Sequence, residues 1–408
     1  MINVIKSNDD FIDLVKKKQI PSDYFDCTIL LNKTATRNQH QTGRCWLEAG
    51  LDFIQYAYYQ KSDAILPELS SAYLSYFDLH NKIINFLYAI YATRNEEAGS
   101  PILHQFLSRP VQDGGQWAEF VRLINKYGIV FSSDMEACAA IENTNYMDAL
   151  INQMLRGIAV EIRSIDNIPS DQLDSYLINM AQPCFDILDD FFGQIPTKVS
   201  YLDKEYQPQK FYQEVIYQKI FDDMESYVNV PYDLRPFYRR YRVKWLYSRT
   251  EKDGPISHIN IPLDVFKKMV LAQLEEGLPV WAGIDAGHMS DKKLGIFDES
   301  LYDYRKLVNN FKTIDKGSAA LYDEAHLSHA VLIWGADYKD HKVTKWCVKN
   351  SFGSEIGQSG YCYMSDAWFD RYVYQVVIEK DISSKYMKNN IGSKDIYLPP
   401  WDFLGCLA

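Results

Sequence analysis

The chain has 408 residues, of which 47% are hydrophobic and 14% aromatic, and its formal net charge is -11. A chain of this length and hydrophobic content can bury a sizeable core. It is therefore not one of the small folds that need disulfides or a metal for stability. The acidic excess repels phosphate backbones on average. A helix that spans a bilayer needs an apolar run of about 20 residues, and the sequence contains no such run.

The N-terminal segment MINVIKSNDDFIDLVKKKQ lacks the apolar core of a signal peptide. The 7 cysteines are odd in number and scattered, and no CxxC pair is present. Free thiols in a reducing compartment fit this usage, so the sequence predicts a cytoplasmic protein. Because no cluster of metal-ligand residues is evident, we expect no metal and no cofactor.

Helical patterns dominate the first half of the chain. Apolar residues recur at helical spacing from Gly43 to Gln60, which predicts a helix that begins almost at Cys45. Similar patterns predict further helices over Leu69–Ala89, Trp117–Tyr127, Tyr146–Arg156, Ser170–Phe192 and Gln209–Met224.

Strand patterns follow from about residue 228. β-branched and aromatic residues are concentrated in YRVKWLYS, LPVWAGID, SHAVLIWGAD, VTKWCVKNSF, GYCYMS and YVYQVVIEK. YKDH, at 338–341, separates two of these segments and predicts a hairpin turn. Helices followed by antiparallel strands are typical of an α+β protein. The closing SKDIYLPPWDFLGCLA contains a Pro-Pro pair and is predicted to be an extended arm.

One basic stretch departs from the acidic average. RPFYRRYRVKWLYSR, from Arg235 to Arg249, interleaves cations with aromatic rings, an arrangement that can hold single-stranded nucleic acid. Its near alternation is more typical of a strand with one solvated cationic face, which is the interpretation we favour. We therefore expect no nucleic-acid partner.

The stretch NQHQTGRCW contains Cys45 at the predicted start of a helix. A free thiol has a pKa of about 8.5, and helix N-terminal amides together with a cationic imidazole favour the nucleophilic thiolate. Gly43 lets the backbone turn tightly just before the cysteine, so that the sulfur can face a cleft. A buried structural cysteine is the alternative, and Cys45 alone does not decide between the two.

Gln39, six residues before Cys45, favours the catalytic interpretation. Acyl transfer through a thiolate creates an oxyanion, which needs hydrogen-bond donors placed where the charge develops. The backbone N–H of Cys45 is one candidate donor, and the side-chain amide of Gln39 is the second.

A thiolate also needs a base, and the base needs a group that orients it. His329 lies at the start of an apolar strand-like segment, and Asn350 follows 21 residues later, across the predicted hairpin. Paired strands can bring the two together, so that the amide oxygen of Asn350 fixes the tautomer of His329. A satisfied core histidine is the alternative for His329 alone. Four residue types in this order indicate a Cys-His-Asn site with a glutamine oxyanion donor.

These motifs resemble those of papain-like cysteine peptidases, and specifically those of the bleomycin hydrolase (aminopeptidase C) family. The similarity runs over nearly the whole chain. Besides NQHQTGRCW, it is carried by ELSSAYLSYFD, RPVQDGGQWAEFVRLINKYGIV, LPVWAGIDAGHMSDKKLGIFDESLYDY, LSHAVLIWGAD, KWCVKNSFGSEIGQSGYCYMSDAWFDRYVYQVVIEK and LPPWDFLGCLA. DGGQW and the C-terminal arm are more specific than the Cys-His pattern, because generic papain-like enzymes lack this combination.

The resemblance implies a papain-like two-lobed α+β fold, with a helical lobe, an antiparallel β lobe, a helical insertion and an extended C-terminal arm. The expected domains are the N-terminal segment and helical lobe with the nucleophile, the mainly helical insertion, the β lobe with His and Asn, and the arm in the active-site cleft. In that order they span residues 1–140, 141–250, 251–390 and 391–408.

The resemblance also implies the catalytic roles. Cys45 corresponds to the nucleophile, and His329 corresponds to the general base and acid. Asn350 would orient His329, and Gln39 would donate to the oxyanion. A cysteine aminopeptidase acting on short peptides is the implied activity.

Substrate binding and assembly are implied in the same way. Gly114 and Gly115 match the segment that hydrogen-bonds the substrate backbone, whereas the alternative for such a glycine pair is an ordinary turn. The terminal carboxylate at Ala408 would meet the free amino group of the substrate and block the far side of the cleft. Family members are homohexamers whose active sites face an internal cavity, so a homohexamer is expected.

Three features depart from the family. Phe352 stands where the family usually has Trp, Glu48 replaces an apolar residue one helical turn after Cys45, and the segment before Cys45 is shorter. Two alternatives to the aminopeptidase remain open. One is an endopeptidase of the same family, since small changes in the length or placement of the arm would open the cleft. The other is a catalytically weak peptide-binding homologue, for which Glu48 and Phe352 are the only support.

Overall fold

The computed structural model describes two compact units. The strand unit comprises residues 1–38, 225–238 and 259–390, and the helix unit comprises residues 39–224, 239–258 and 391–408. The residues that the structure describes are 15–16, 26–135, 139–217, 223–244, 255–387 and 391–405.

Most of the long helices belong to the helix unit. Their apolar stripes pack against one another, and Trp46, Phe53 and Leu123 are among the buried residues. No helix in the described ranges is long and apolar enough to cross a membrane. The helices are α1 Cys45–Ser62, α2 Ser71–Ala92, α3 Pro101–Ser108, α4 Trp117–Tyr127, α5 Asn145–Arg163, α6 Ser170–Phe192, α7 Pro208–Phe211, α8 Leu263–Glu275, α9 Lys316–Leu321, α10 Asp366–Tyr372 and α11 Lys380–Tyr386.

The predicted helices are confirmed except at one end. The prediction over Gln209–Met224 is wrong toward its C-terminus, because α7 and the π-helical turn Tyr212–Ile216 that continues it end at Ile216, and Met224 begins a strand. The apolar spacing in this segment fits either a helix or a strand. The residues from Met224 form a strand, which pairs with a neighbouring strand through Tyr227 and Ile259.

Strands form the core of the strand unit. The strands of the two units together are β1 Ile29–Leu30, β2 Val199–Tyr201, β3 Lys204–Tyr206, β4 Met224–Val228, β5 Arg239–Val243, β6 Ile256–Asn260, β7 Val280–Ile284, β8 Ser290–Asp291, β9 Ile296–Phe297, β10 His329–Lys339, β11 Lys342–Lys349, β12 Tyr361–Ser365, β13 Val373–Glu379 and β14 Ile396–Leu398; of these, β2, β3, β5 and β14 belong to the helix unit.

The strand unit is built on the order β4-β13-β7-β10-β11-β12-β9-β8. The pairs β13–β7, β7–β10, β10–β11 and β11–β12 are antiparallel, as the sequence predicts. Strands β7, β10 and β13 are largely apolar and almost continuously buried, as expected of strands that are covered on both faces. The fully buried rings of Trp281, Trp334, Trp346 and Trp368 lie in this unit.

The hairpin between β10 and β11 fixes the register of the strands that carry His329 and Asn350. Its two loop residues, Asp340 and His341, have φ values of 50° and 61°. Two consecutive positive φ angles are typical of the tight turns that match the twist of paired strands. The predicted turn at 338–341 is confirmed.

Candidate active site

Cys45 is the first residue of α1, as the sequence predicts, and only 2% of its surface is exposed. The first helical turn is closed by hydrogen bonds from the backbone N–H groups of Leu47 and Glu48 to the carbonyl of Arg44. The positive end of the helix dipole lies at this terminus, so the position favours a thiolate over a thiol.

The turn before Cys45 is held by a buried carboxylate. Asp113 Oδ2 accepts hydrogen bonds from the backbone N–H of Gly43, at 3.0 Å, and from the hydroxyl of Thr144. A Cβ on Gly43 would lie 2.7 Å from the Cβ of Asp113. The glycine is therefore required by this close approach, which fixes the backbone on which Cys45 is carried.

Gln39 lies in the loop that precedes this turn, with 7% of its surface exposed. Its Nε2 donates to the carbonyl of Thr42 at 2.6 Å, and the Thr42 hydroxyl donates back to the carbonyl of Gln39 at 2.6 Å. This reciprocal pair orients the glutamine amide within its own loop. An amide nitrogen carries two N–H groups, so it can serve a loop carbonyl and a second acceptor.

The glycine pair of DGGQW packs against the residue that follows Cys45. A Cβ on Gly115 would lie 2.5 Å from the ring of Trp46, and the Trp46 indole N–H donates to the carbonyl of Asp113 at 2.8 Å. The carbonyl of Gly114 accepts a hydrogen bond from Lys82 at 2.6 Å. These contacts make Gly114 and Gly115 a fixed stretch of main chain beside the start of α1.

Lys82 and Asp78 are residues of this region that sequence reasoning missed. Their side chains form a buried ion pair within α2, with 1% and 4% of the residues exposed. The signal was present as an Asp and a Lys four residues apart in a largely apolar helix, where charges need a partner. Nothing in the sequence identified the backbone carbonyls of Gln112 and Gly114, to which Lys82 also donates.

Glu48 is buried rather than exposed, with 4% of its surface accessible. The hydroxyl of Ser71, the first residue of α2, donates to its Oε1. This departure from the family therefore forms a link between the first turns of α1 and α2.

In the strand unit, His329 is the first residue of β10 and Asn350 follows the last residue of β11. Pairing of Leu332 with Lys349 brings the two side chains together. His329 Nε2 and Asn350 Oδ1 are 2.8 Å apart, so the predicted contact between them is present.

The orientation of the Asn350 amide is fixed by its other hydrogen bonds. The backbone N–H of Ser351 donates to Oδ1 at 2.7 Å, and Nδ2 donates to the Cys362 sulfur at 3.8 Å. Oδ1 is therefore the acceptor, and His329 carries its hydrogen on Nε2. Its Nδ1 then presents a lone pair, which is the form required of a general base.

Burial lowers the pKa of His329 to about 4, and the opposing effect of its hydrogen bond to Asn350 Oδ1 does not compensate for this. Lys292 lowers the pKa further through its positive charge. The ring of Phe352 stacks on His329 with the centroids 4.6 Å apart and the planes 14° from parallel. Phenylalanine at this position thus covers the imidazole, and the neutral ring is the stable form at neutral pH.

The C-terminal arm is anchored within the helix unit at two places. Its strand β14 pairs in parallel with β5, where Arg242 also forms an ion pair with Asp395. Further along, Leu404 is fully buried and its carbonyl accepts a hydrogen bond from Gln116 Nε2 at 3.2 Å. Gln116 directly follows the glycine pair. Ala408 lies outside the described residues.

The basic stretch from Arg235 to Arg249 also takes part in anchoring the arm. Its described part, residues 235–244, contains β5, in which Arg242 forms the ion pair with Asp395 of the arm and Arg240 donates to Ser257 at 3.3 Å. Residues 245–254 lie outside the described ranges. Within those ranges, no group of three or more His, Cys, Asp and Glu side chains is arranged to hold a metal ion.

Comparison with known proteins gives consistent similarities along the chain. The model of the Peptidase C1-like family matches residues 2–405. Aminopeptidase C of Streptococcus thermophilus is 32% identical over 406 residues, which cover 96% of this chain and 91% of that protein. Bleomycin hydrolase of Homo sapiens is 29% identical over 392 residues, covering 91% and 86%. The crystal structure of PepW from Lactobacillus rhamnosis HN001 superposes with a TM-score of 0.86 at 33% identity, covering 94% of this chain and 89% of that one.

Proposed function

Because this chain belongs to the Peptidase C1-like family and is a cysteine peptidase of papain-like α+β fold, we propose that it is an aminopeptidase of short peptides. The similar proteins named aminopeptidase C and bleomycin hydrolase support this choice. A cytosolic location belongs to the same proposal, and it is supported by the described cysteines Cys27, Cys184, Cys347 and Cys362, whose thiols are free.

In the first half of the proposed reaction, the Cys45 sulfur attacks the carbonyl carbon of the first peptide bond, and His329 Nδ1 takes up the thiol proton. The backbone N–H of Cys45 and the side chain of Gln39 stabilise the oxyanion that forms. The tetrahedral intermediate collapses as the protonated His329 donates its proton to the leaving amine. A thioester to the N-terminal residue remains on Cys45.

In the second half, a water molecule loses a proton to His329 and attacks the thioester carbon. Collapse of the second tetrahedral intermediate breaks the bond to sulfur and returns the proton to Cys45. The hydrogen bond between Asn350 and His329 Nε2 keeps the ring in place throughout, so His329 Nδ1 accepts and donates the proton in both halves of the reaction. The products are a free amino acid and a peptide shortened by one residue.

The observation that carries the aminopeptidase proposal is the hydrogen bond from Gln116 Nε2 to the carbonyl of Leu404. It joins the arm, four residues before its end, to the residue after Gly114 and Gly115, which would bind the substrate backbone. In this proposal, an arm held there would block a chain that extends beyond the substrate's N-terminus. The carboxylate of Ala408 would bind the free ammonium group by charge.

The test uses the full-length protein under reducing conditions with a short peptide and its N-acetylated twin, followed by mass. We expect stepwise loss of residues from the free peptide alone. Substitution C45A should abolish it. C184A is the matched control, because Cys184 is also a buried cysteine of the helix unit and burial raises its pKa to about 11.

The other functions predict different products. Internal cuts in both peptides by the full-length protein would support an endopeptidase and remove the role of the arm. Absence of cleavage, together with failure of a thiol-reactive peptidyl inhibitor to label Cys45, would support a peptide-binding homologue.

The role of the arm is tested by a deletion. Removal of residues 406–408 should extend cleavage to the acetylated peptide.

The homohexamer expected from the resemblance remains part of the proposal. Light scattering of the purified protein should give about six times the 47.4 kDa chain mass. A monomer that still trims free peptides would remove the assembly and leave the chemistry in place.

A further inference from the structure

We propose that Lys82 is a positioning residue, which holds the main chain of residues 112–114 in the conformation that aligns the substrate backbone. This inference rests on the proposed function, in which Gly114 and Gly115 bind that backbone. Lys82 does not contact the reacting atoms in this proposal; it acts through the segment it holds.

The contacts of Lys82 define this role. Its Nζ donates to the carbonyl of Gln112 at 2.8 Å, to the carbonyl of Gly114 at 2.6 Å and to Asp78 Oδ2. The three N–H groups of an ammonium thus match three acceptors. Two of these acceptors belong to the backbone of the DGGQW region rather than to the helix that carries the lysine.

The carbonyl between these two is held from another direction. Asp113 O accepts from the indole N–H of Trp46 at 2.8 Å. Three successive carbonyls are therefore fixed by two side chains, and both donors are buried. Lys82 Nζ also lies 5.5 Å from the centre of the Trp46 ring, a distance at which a cation is attracted to an aromatic face.

Such support is needed because the segment ends in Gly114, which is followed directly by a second glycine, Gly115. Glycine has no side chain to pack and has more conformational freedom than other residues, so its main chain must be held by its neighbours. A substrate that pairs with this segment needs its N–H and C=O groups already in register. Charge-assisted hydrogen bonds from a buried ammonium are stronger than neutral ones and supply that register.

A lysine is a costly way to hold two carbonyls in a protein interior, which argues for a role beyond packing. Burying an ammonium requires an anionic partner, and Asp78 is that partner at the price of its own desolvation. Burial raises the pKa of Asp78 to about 7, although the charge of Lys82 acts in the opposite direction. An apolar residue at both positions would avoid this cost but would leave the carbonyls of Gln112 and Gly114 without their donor.

The test compares peptide hydrolysis with alkylation of Cys45 by iodoacetamide, a small reagent that does not pair with the peptide-binding segment. The variant is D78N/K82M, which removes the cation without leaving an unpaired buried carboxylate. We expect kcat/KM for the free peptide to fall about 10- to 100-fold, mainly through KM. The alkylation rate should stay within about threefold of wild type.

K316M is the matched control. Lys316 is a second buried lysine that donates to a backbone carbonyl, that of Val373 at 2.7 Å, but it lies in the strand unit. Its substitution should lower the urea midpoint without raising KM. K82R serves as the second variant, because it keeps the charge that Asp78 needs but cannot place one nitrogen between both carbonyls. It should also raise KM, by a smaller factor.

A folded D78N/K82M or K82R protein with unchanged KM overturns the proposal. A parallel fall in hydrolysis and alkylation also overturns it, because that pattern indicates a general structural role. A wild-type protein that hydrolyses no peptide defeats the proposed function instead. If the wild type hydrolyses peptides and KM is unchanged in the Lys82 variants, only the proposed role of Lys82 is wrong and the proposed function stands.

Discussion

The two halves of the proposed site are built by different physical means. Around Cys45, a helix terminus and a glycine-rich segment are held by buried polar and charged contacts, including those of Asp113 and Lys82. Around His329, paired strands set the position, and an amide with an aromatic ring completes the surroundings of the imidazole. The nucleophile half therefore depends on close packing of main chain, whereas the base half depends on burial.

The largest effect expected from this difference concerns pH. Because the folded-state pKa of His329 is about 4, below its ordinary value, its contribution to stability is fully present above about pH 6.5 and is lost as pH falls toward 4. The loss amounts to about 3 kcal/mol at most. Urea unfolding at pH 4.5, 5.5 and 7.5 should show this loss in wild type and a smaller one in H329Q.

Exposed His104 provides the control for that experiment. H104Q should leave the pH dependence of wild type in place. If the free energy of unfolding depended on pH equally in wild type and H329Q, burial of His329 would not set the pH dependence. The distinction drawn here for the surroundings of His329 would then be wrong.

The next effect tests close packing in the nucleophile half. G115A would place a Cβ 2.5 Å from the Trp46 ring and should lower the free energy of unfolding by about 2 kcal/mol, with a loss of activity. G157A is the matched control, because no atom lies within 4 Å of a Cβ at this position in α5. It should stabilise the protein by about 0.5–1 kcal/mol. Thermal unfolding that ranks the two variants the other way would contradict the packing argument.

The hydrogen bond in the base half is tested at Asn350. N350A leaves His329 Nε2 without its buried acceptor and should reduce kcat/KM about 10-fold. N350Q keeps an amide but moves its oxygen by one methylene, so it should not restore the activity. Full activity in N350Q would show that the position of the oxygen is unimportant.

The smallest effect is expected at Phe352. F352W restores the residue usual in the family and should change kcat/KM by less than about threefold, because the phenyl ring already covers His329. F352A exposes the imidazole and should cost more than F352W. If F352W instead increases activity strongly, the phenylalanine is a functional departure rather than a tolerated one.

Much of the fold was predictable because the local patterns were unambiguous. The hairpin at Asp340 and His341 and the helices Trp117–Tyr127 and Ser170–Phe192 are present as predicted. Only the C-terminal end of the segment from Gln209 to Met224 was mispredicted, because its apolar spacing fits both periodicities and only the partner strand distinguishes them.

The site shows the same limit. Residue types and their order identified Cys45, His329, Asn350 and Gln39 as candidates, and their roles remain proposals. The partner of Glu48 was not predictable, since a carboxylate one turn after Cys45 fits either solvent or a buried contact. Ser71, at the start of the next helix, is its partner in the structure.

The sequence by itself determined the order of helices and strands, the hairpin register and the candidate residues, because these depend on periodicity, turn residues and spacing along the chain. Only the tertiary structure decided which distant groups meet. Lys82 reaches Gly114, and Gln116 reaches Leu404 across 288 positions of sequence. Such contacts are selected by the burial of polar groups that must find partners, and local sequence carries no record of where those partners lie.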